Sequence, residues 1–312
     1  MRTFSHPGYK RFLLSVGCLL SIHFTALFFL TLFRLVFFFS ANYDFPDQEH
    51  VGFMSIWPAF IRGVWFDNVI ACYILLIPLV AVSISALFNY YGKILWNVTC
   101  IFFSLFYGIV LLVTAANIPY FQYFFKIINS SVFNWFGYMN TTAGMVFGET
   151  SYYPPLIGFL LTLVLFIWLM RRLIRHFQRL LNTKNPSVFW LDRIYIFLTA
   201  GICIGLCLFG IRGRTGYNPI KVSAAYYCTD PFLNQLGISP VFNLLSSTLD
   251  DSRKENRYLH LMPENEALEN PRHYLNRPGI EGISPIARQI NASDSLRRPN
   301  IVLIFMESMS AH

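Results

Sequence analysis

Five apolar runs govern what this chain can fold into. They cover about residues 12–39, 69–88, 95–116, 155–174 and 194–211. A helix needs about 20 apolar residues to cross the ~30 Å hydrocarbon core of a bilayer, and each run meets that length or comes close. Backbone inside hydrocarbon must satisfy its own hydrogen bonds, so runs of this kind read as transmembrane helices. Composition agrees, since 55% of the 312 residues are hydrophobic and 13% are charged, against about 25% charged in soluble domains. An ordinary soluble globule and a disordered chain are both excluded. The first run follows Lys10 and Arg11 and exceeds the apolar core of a cleavable signal peptide, so it reads as a retained signal anchor.

The net charge of +8 points away from nucleic acid, because the basic residues flank the apolar runs instead of gathering on one face. Their distribution sets an orientation. With the N-terminus inside, the cytoplasmic segments hold Arg2, Lys10, Arg11, Lys93, Arg171, Arg172, Arg175, Arg179, Lys184 and Arg193, whereas the two short outer loops hold Arg62 and Lys126. Cytoplasmic loops carry such an excess of Lys and Arg. The expectation is a multi-pass protein of the cytoplasmic (inner) membrane whose N-terminus is inside and whose C-terminus is extracytoplasmic. Residues 1–211 form the membrane domain, 212–298 an extracytoplasmic linker, and 299–312 the start of a further domain.

The stretch between the third and fourth runs is dense in Tyr, Phe and Trp and too polar to span. It is expected to lie on the membrane, as an anchoring belt first and a lipid-headgroup platform second. Arg62 and Asp67, just before the second run, fit either a phosphate clamp or an interfacial anchor. His23 and Arg34 fall inside the first run, where ionisable residues are functional candidates; Arg34 sits near its outer end and is expected to snorkel. Of six cysteines, Cys18, Cys72, Cys100, Cys203 and Cys207 fall in runs and read as small apolar packing residues. Cys228 alone lies outside them.

Residues 212–251 read as a linker lying along a partner domain. Residues 250–298 turn polar, with one helix expected around Glu264 to Asn270. The final residues change character: Ile301 to Phe305 is a continuous apolar run, the pattern of a parallel-sheet strand buried on both faces. Glu307 follows directly, at the strand end where open α/β sheets bind ligands. A helix-start carboxylate is the plainer reading of that position. Ser308 and Ser310 read as caps, since the flanking glycines of a nucleophile elbow are missing.

The segment PNIVLIFMESMSAH resembles the opening strand of the sulfatase and alkaline-phosphatase superfamily, in which a short apolar strand ends in an acidic metal ligand. Together with GVWFDNVI before the second run, RGRTGYNPIKVSAAYY after the fifth and the five-span layout, the chain resembles the lipoteichoic-acid-synthase-like phosphoglycerol transferases. The resemblance implies a five-helix membrane domain followed by a linker and an α/β extracytoplasmic catalytic domain. It also implies transfer of phosphoglycerol from a lipid donor similar to phosphatidylglycerol, by a Thr nucleophile beside a divalent cation, Mn²⁺ or Mg²⁺. Glu307 matches the first metal ligand of that family. The nucleophile, an Asp-His pair and a further His fall beyond it in the family, so the chain is expected to be the N-terminal portion of a longer enzyme and inactive as written. One carboxylate does not hold a catalytic cation; even catalytic zinc commonly takes three protein ligands. Two relatives in chemistry stay open: a phosphoethanolamine transferase, whose strand ends in Gly-Glu-Thr where this one reads Phe305, Met306, Glu307, Ser308, and a sulfatase-like hydrolase. A non-catalytic five-helix module that binds lipid or a partner is the reading from another class.

Overall fold

The computed structural model describes residues 6–41, 53–181, 190–253, 261–275 and 302–303. Five of its helices are long and apolar enough to cross a membrane. They are α1 (Pro7–Ser40), α2 (Phe53–Leu87), α3 (Lys93–Phe124), α5 (Tyr153–Leu181) and α6 (Trp190–Arg212). Between α3 and α5 lie the 3-10 helix Ser130–Tyr138, the short α4 (Met139–Gly148) and the single turn Thr150–Tyr152. After α6 come the turn Val222–Ala225, α7 (Pro231–Leu236) and α8 (Pro240–Ser252). The chain divides into two compact units, Met1–Lys254 and Glu255–His312.

In the first unit the helices alternate in direction. We call the end where α1 stops and α2 begins the upper end. α1 packs against α2, α5, α6 and α3, while α2 packs against α6, and α3 against α5. The buried positions of α1 recur at helical spacing: Phe12, Val16, Leu19, Ile22, Ala26, Phe29, Phe33 and Phe37. This is one stripe of a 3.6-residue helix turned to the core. α5 shows the opposite face, with Leu160, Leu161 and Val164 exposed. An apolar exterior on a bundle of bilayer-length helices fits a multi-pass membrane protein.

The expected second span begins at residue 69, but the helix begins at Phe53. α2 has 35 residues, roughly 50 Å at ~1.5 Å per residue, well beyond the ~30 Å hydrocarbon core. Gly213, just past α6, marks where α2 outruns its neighbour. At φ +70° it adopts a conformation that glycine tolerates, and a Cβ built on it would lie 3.0 Å from a Val69 methyl and 2.7 Å from one of Ile220. The lower end is fastened by Arg11, which donates to the Leu181 carbonyl at 2.7 and 3.2 Å, and by His6 Nδ1 against the fully buried Asp192 at 2.8 Å.

In the second unit the described part is residues 261–275, which hold α9 (Glu264–Leu275), and residues 302–303. α9 covers the expected helix and extends it, with Glu264 and Glu266 in the first turn and Arg272 and His273 in the last, the arrangement its macrodipole favours. Of the expected strand 301–305, only Val302 and Leu303 fall among the described residues; neither lies in a strand, and they are 81% and 73% exposed. A buried strand needs neighbours to pair its backbone groups, and among the described residues there is no other strand. The α/β domain is accordingly unsupported, and the described fold is all-helical.

Candidate functional site

The upper end is organised by a charge that sequence reading would have left at the surface. Arg34 on α1 is 5% exposed. Its Nη2 donates to Asp67 Oδ2 on α2 at 2.6 Å, and Asp67 is itself 2% exposed. Nη1 donates to two backbone carbonyls at and just past the end of α7, Leu236 in a short contact and Ile238 at 3.1 Å. One planar guanidinium therefore ties three separate parts of the chain, a task suited to its fixed fork of donors. Gly63, one turn before Asp67, makes the room: a Cβ there would fall 2.1 Å from the Arg34 Cζ.

The segment that receives this clamp is a folded cap, not a free linker. Phe232, Leu233, Leu236, Ile238 and Val241 are all buried. α7 has six residues and could not persist alone; its ends and flanks are pinned instead. Asp230 caps it, accepting from the backbone N–H of Phe232 at 2.7 Å and of Leu233 at 3.2 Å, with Pro231 behind it. Asn234 holds the preceding turn, accepting from Tyr227 N–H at 2.9 Å and donating to the Cys228 carbonyl at 2.7 Å. Gln235 reaches the turn after α3 with both ends of its amide, accepting from Ile127 N–H at 3.1 Å and donating to the Phe125 carbonyl at 3.3 Å. Phe125 sits there at φ 51°, a left-handed conformation that is costly for a bulky residue. The ring of Phe232 packs against Phe37, Phe38 and Phe121.

Arg62 does not present a free fork to a phosphate. Its guanidinium lies 4.5 Å over the ring of Tyr227, and Nε donates to the Ala224 carbonyl at 3.3 Å. Tyr227 donates its hydroxyl to the Ser55 carbonyl at 2.6 Å. Burial, with the neighbouring Cys228, pushes that phenol up to about 12, partly opposed by Arg62. These contacts favour the anchoring reading of Arg62. Arg34, expected to snorkel, is instead buried and paired, because Asp67 gives its charge a closer partner than the surface could.

Beside the cap lies a cavity of about 600 Å³. Leu112, Ala116 and Pro119 of α3 and Leu156 and Phe159 of α5 form its floor, and Tyr120, Tyr123, Trp135, Tyr138 and Tyr152 much of its upper wall. The wall is built: Tyr120, Phe124 and Trp135 rings lie 4.7 to 5.8 Å apart, and Tyr120 donates to Asn129 Oδ1 at 3.4 Å. α8 fastens it from behind, through Ser247 Oγ accepting from Ser130 N–H at 2.9 Å and Asn243 donating to the Ile128 carbonyl at 2.9 Å. Asn117 Oδ1 accepts from Ile128 N–H at 3.0 Å. The expected aromatic belt is thus partly a chamber.

The remaining candidates separate. His23 is buried in α1 with Nε2 3.1 Å from Asn68 Oδ1, on the residue after Asp67, and makes no hydrogen bond to Arg34 or Asp67. Cys207 Sγ contacts the Cys72 carbonyl at 3.3 Å, a packing contact between α6 and α2. Glu307, Ser308 and Ser310 lie outside the described residues. Among the described residues, no three His, Cys, Asp or Glu side chains come together in a metal-binding group. The sequence marks Arg34 and Asp67 separately and not as a pair; the signal for pairing is an ion inside the first apolar run and another at the edge of the second, since such ions tend to pair with one another. No family model, curated protein or solved structure matches this chain.

Proposed function

We propose that this protein is a membrane-anchored phosphoglycerol transferase of the sulfatase superfamily, acting on phospholipid outside the cytoplasmic membrane. The observation that carries the reading is the cap. The chain leaving the last bilayer-length helix does not trail away; Arg34 and Asp67 bolt it to the upper end of the bundle. Chemistry on a lipid headgroup gains from such an anchor, because holding reacting parts in place removes an entropic barrier. The one-sided distribution of Lys and Arg supports the upper end being the extracytoplasmic one.

In this reading Glu307 is a ligand of a divalent cation, Mn²⁺ or Mg²⁺, whose hard character suits carboxylate oxygen. Such a cation neutralises charge on a phosphoryl group in transfer. The donor is a lipid similar to phosphatidylglycerol. Because the resemblance sets the nucleophile beyond Glu307, the test uses the product of the full reading frame. Reconstituted with headgroup-labelled phosphatidylglycerol and phosphatidylethanolamine, it should release label from the first lipid in a cation-dependent way. Turnover of the second lipid alone would make it a phosphoethanolamine transferase, and release to water without an acceptor would make it a hydrolase. Glu307→Ala should abolish turnover; retained activity would remove that residue from the site.

One observation favours a second reading. The described residues build a bundle with a folded cap and an apolar cavity beside it, as a membrane module that binds lipid would. A stable product that binds lipid and turns over neither donor would favour that module.

A further inference from the structure

We infer that the cavity between α3, the 3-10 helix Ser130–Tyr138 and α5 seats an acyl chain of a membrane phospholipid. Its lining excludes other ligand classes first. Among the described residues no Asp, Glu, Lys, Arg or His lines it, so an anion, a cation or a phosphate headgroup would meet no charged partner among them, at a cost of several kcal/mol for an isolated ion. The side-chain polar groups among its lining residues are tyrosine hydroxyls, the Trp135 indole N–H and the hydroxyls of Thr141 and Thr142 on α4. At about 600 Å³ the space falls in the ~300–1,000 Å³ range of ligand pockets.

Location supplies the source of the chain. The floor residues Ala116 and Leu156 stand at the ends of two apolar runs, where bilayer-length α3 and α5 reach the upper boundary. Leu160 and Leu161, one turn along α5, are exposed on the bundle's apolar exterior. A hydrocarbon tail bending out of the bilayer reaches this floor without crossing water. Small Ala115 and Ala116 leave the gap that α5 does not fill, and the aromatic wall above is fixed in advance by Asn129, Asn117 and α8. A preformed apolar seat lowers the ordering cost of binding a flexible chain.

This seat does not depend on transfer; lipid occupancy and headgroup turnover are separate readouts. The test places the full chain in nanodiscs of phosphatidylglycerol bearing a terminal diazirine on one acyl chain. After illumination, adducts should map to Tyr120, Trp135 and Leu156 at about tenfold the yield on lipid-facing Leu161 and Ile202. Ala116→Trp, which fills the floor, should remove most of the cavity adducts, while Leu161→Trp should leave them. An even spread over exposed apolar residues, or adducts unchanged in Ala116→Trp, would overturn the seat. Should Ala116→Trp fail to fold, competition on the parent decides: unlabelled phosphatidylglycerol should displace the probe and glycerophosphoglycerol, which lacks chains, should not. Displacement by the chainless compound would sink the inference, as would labelling by a diazirine fatty acid but not by the phospholipid.

Discussion

Arg34 and Asp67 are the residues on which the upper end turns. Taking two ions out of water is costly and their attraction recovers it only with good geometry, so removing one partner is worse than removing both. Arg34→Met or Asp67→Ala should each lower stability by ~3–5 kcal/mol, read from the unfolding midpoint in detergent. The double variant Arg34→Met/Asp67→Leu should regain much of that loss, yet leave the carbonyls of Leu236 and Ile238 without their donor. Trypsin should then cut at Arg214 and Lys221 faster than in the parent; unchanged resistance would show that the clamp does not hold the cap. Gly63→Ala should act in the same direction, because its methyl would occupy the space of a guanidinium fixed by three acceptors. Tyr227 gives a pH test. Its folded-state phenol is raised to about 12, above the ~10 of an unfolded chain, so the neutral form is the one the fold favours. That contribution is complete below about pH 10 and is lost as pH rises through 12. The parent's midpoint should fall more steeply across that window than that of Tyr227→Phe; equal slopes would refute the assignment.

At the scale of elements, α7 is the shortest α-helix among the described residues, yet four of its six residues are buried. It owes its existence to Asp230 and Pro231 at its start and to the apolar side chains it buries. Phe232→Ala removes a ring that touches α1 and α3 together and should cost ~3–5 kcal/mol. Gln235→Ala leaves the N–H of Ile127 and the carbonyl of Phe125 without their partner, a loss of about 1–3 kcal/mol where such groups stay buried. Since that turn carries the chain into the cavity wall, Gln235→Ala should also lower cavity adducts in the diazirine experiment. Lost stability with full labelling would show that cap and chamber are independent. The cap was hard to read because its apolar residues keep no sustained period. A six-residue helix between two prolines offers less than two turns of pattern, and burial from neighbours, not propensity, decides it.

For the whole molecule, orientation is the property every functional reading needs. In a background with the native cysteines replaced, a membrane-impermeant maleimide should label Tyr138→Cys and Tyr217→Cys in intact cells. Tyr90→Cys, between α2 and α3 at the lower end, should react only after the membrane is opened. Tyr138, Tyr217 and Tyr90 are 73%, 95% and 47% exposed, so access to the protein surface does not limit the comparison. The reverse pattern would place the cap inside and end the proposal of extracytoplasmic lipid chemistry.

Five helices long and apolar enough to cross a membrane were determined by the sequence itself, because hydrocarbon offers the backbone no partners and a long apolar run has one stable answer there. The positions of α1, α3, α5 and α6 accordingly follow the runs to within a few turns. Where α2 begins was not so determined: Phe53–Asn68 mixes polar and apolar residues, and it is helical because α1, α7 and α8 cover it. Tertiary structure alone decided that Arg34 faces Asp67 33 residues away, that a stretch resembling a linker is a buried plug, and that an aromatic loop encloses a chamber. Each depends on contacts between segments far apart in the chain, and a pattern read along one segment carries no record of what folds against it.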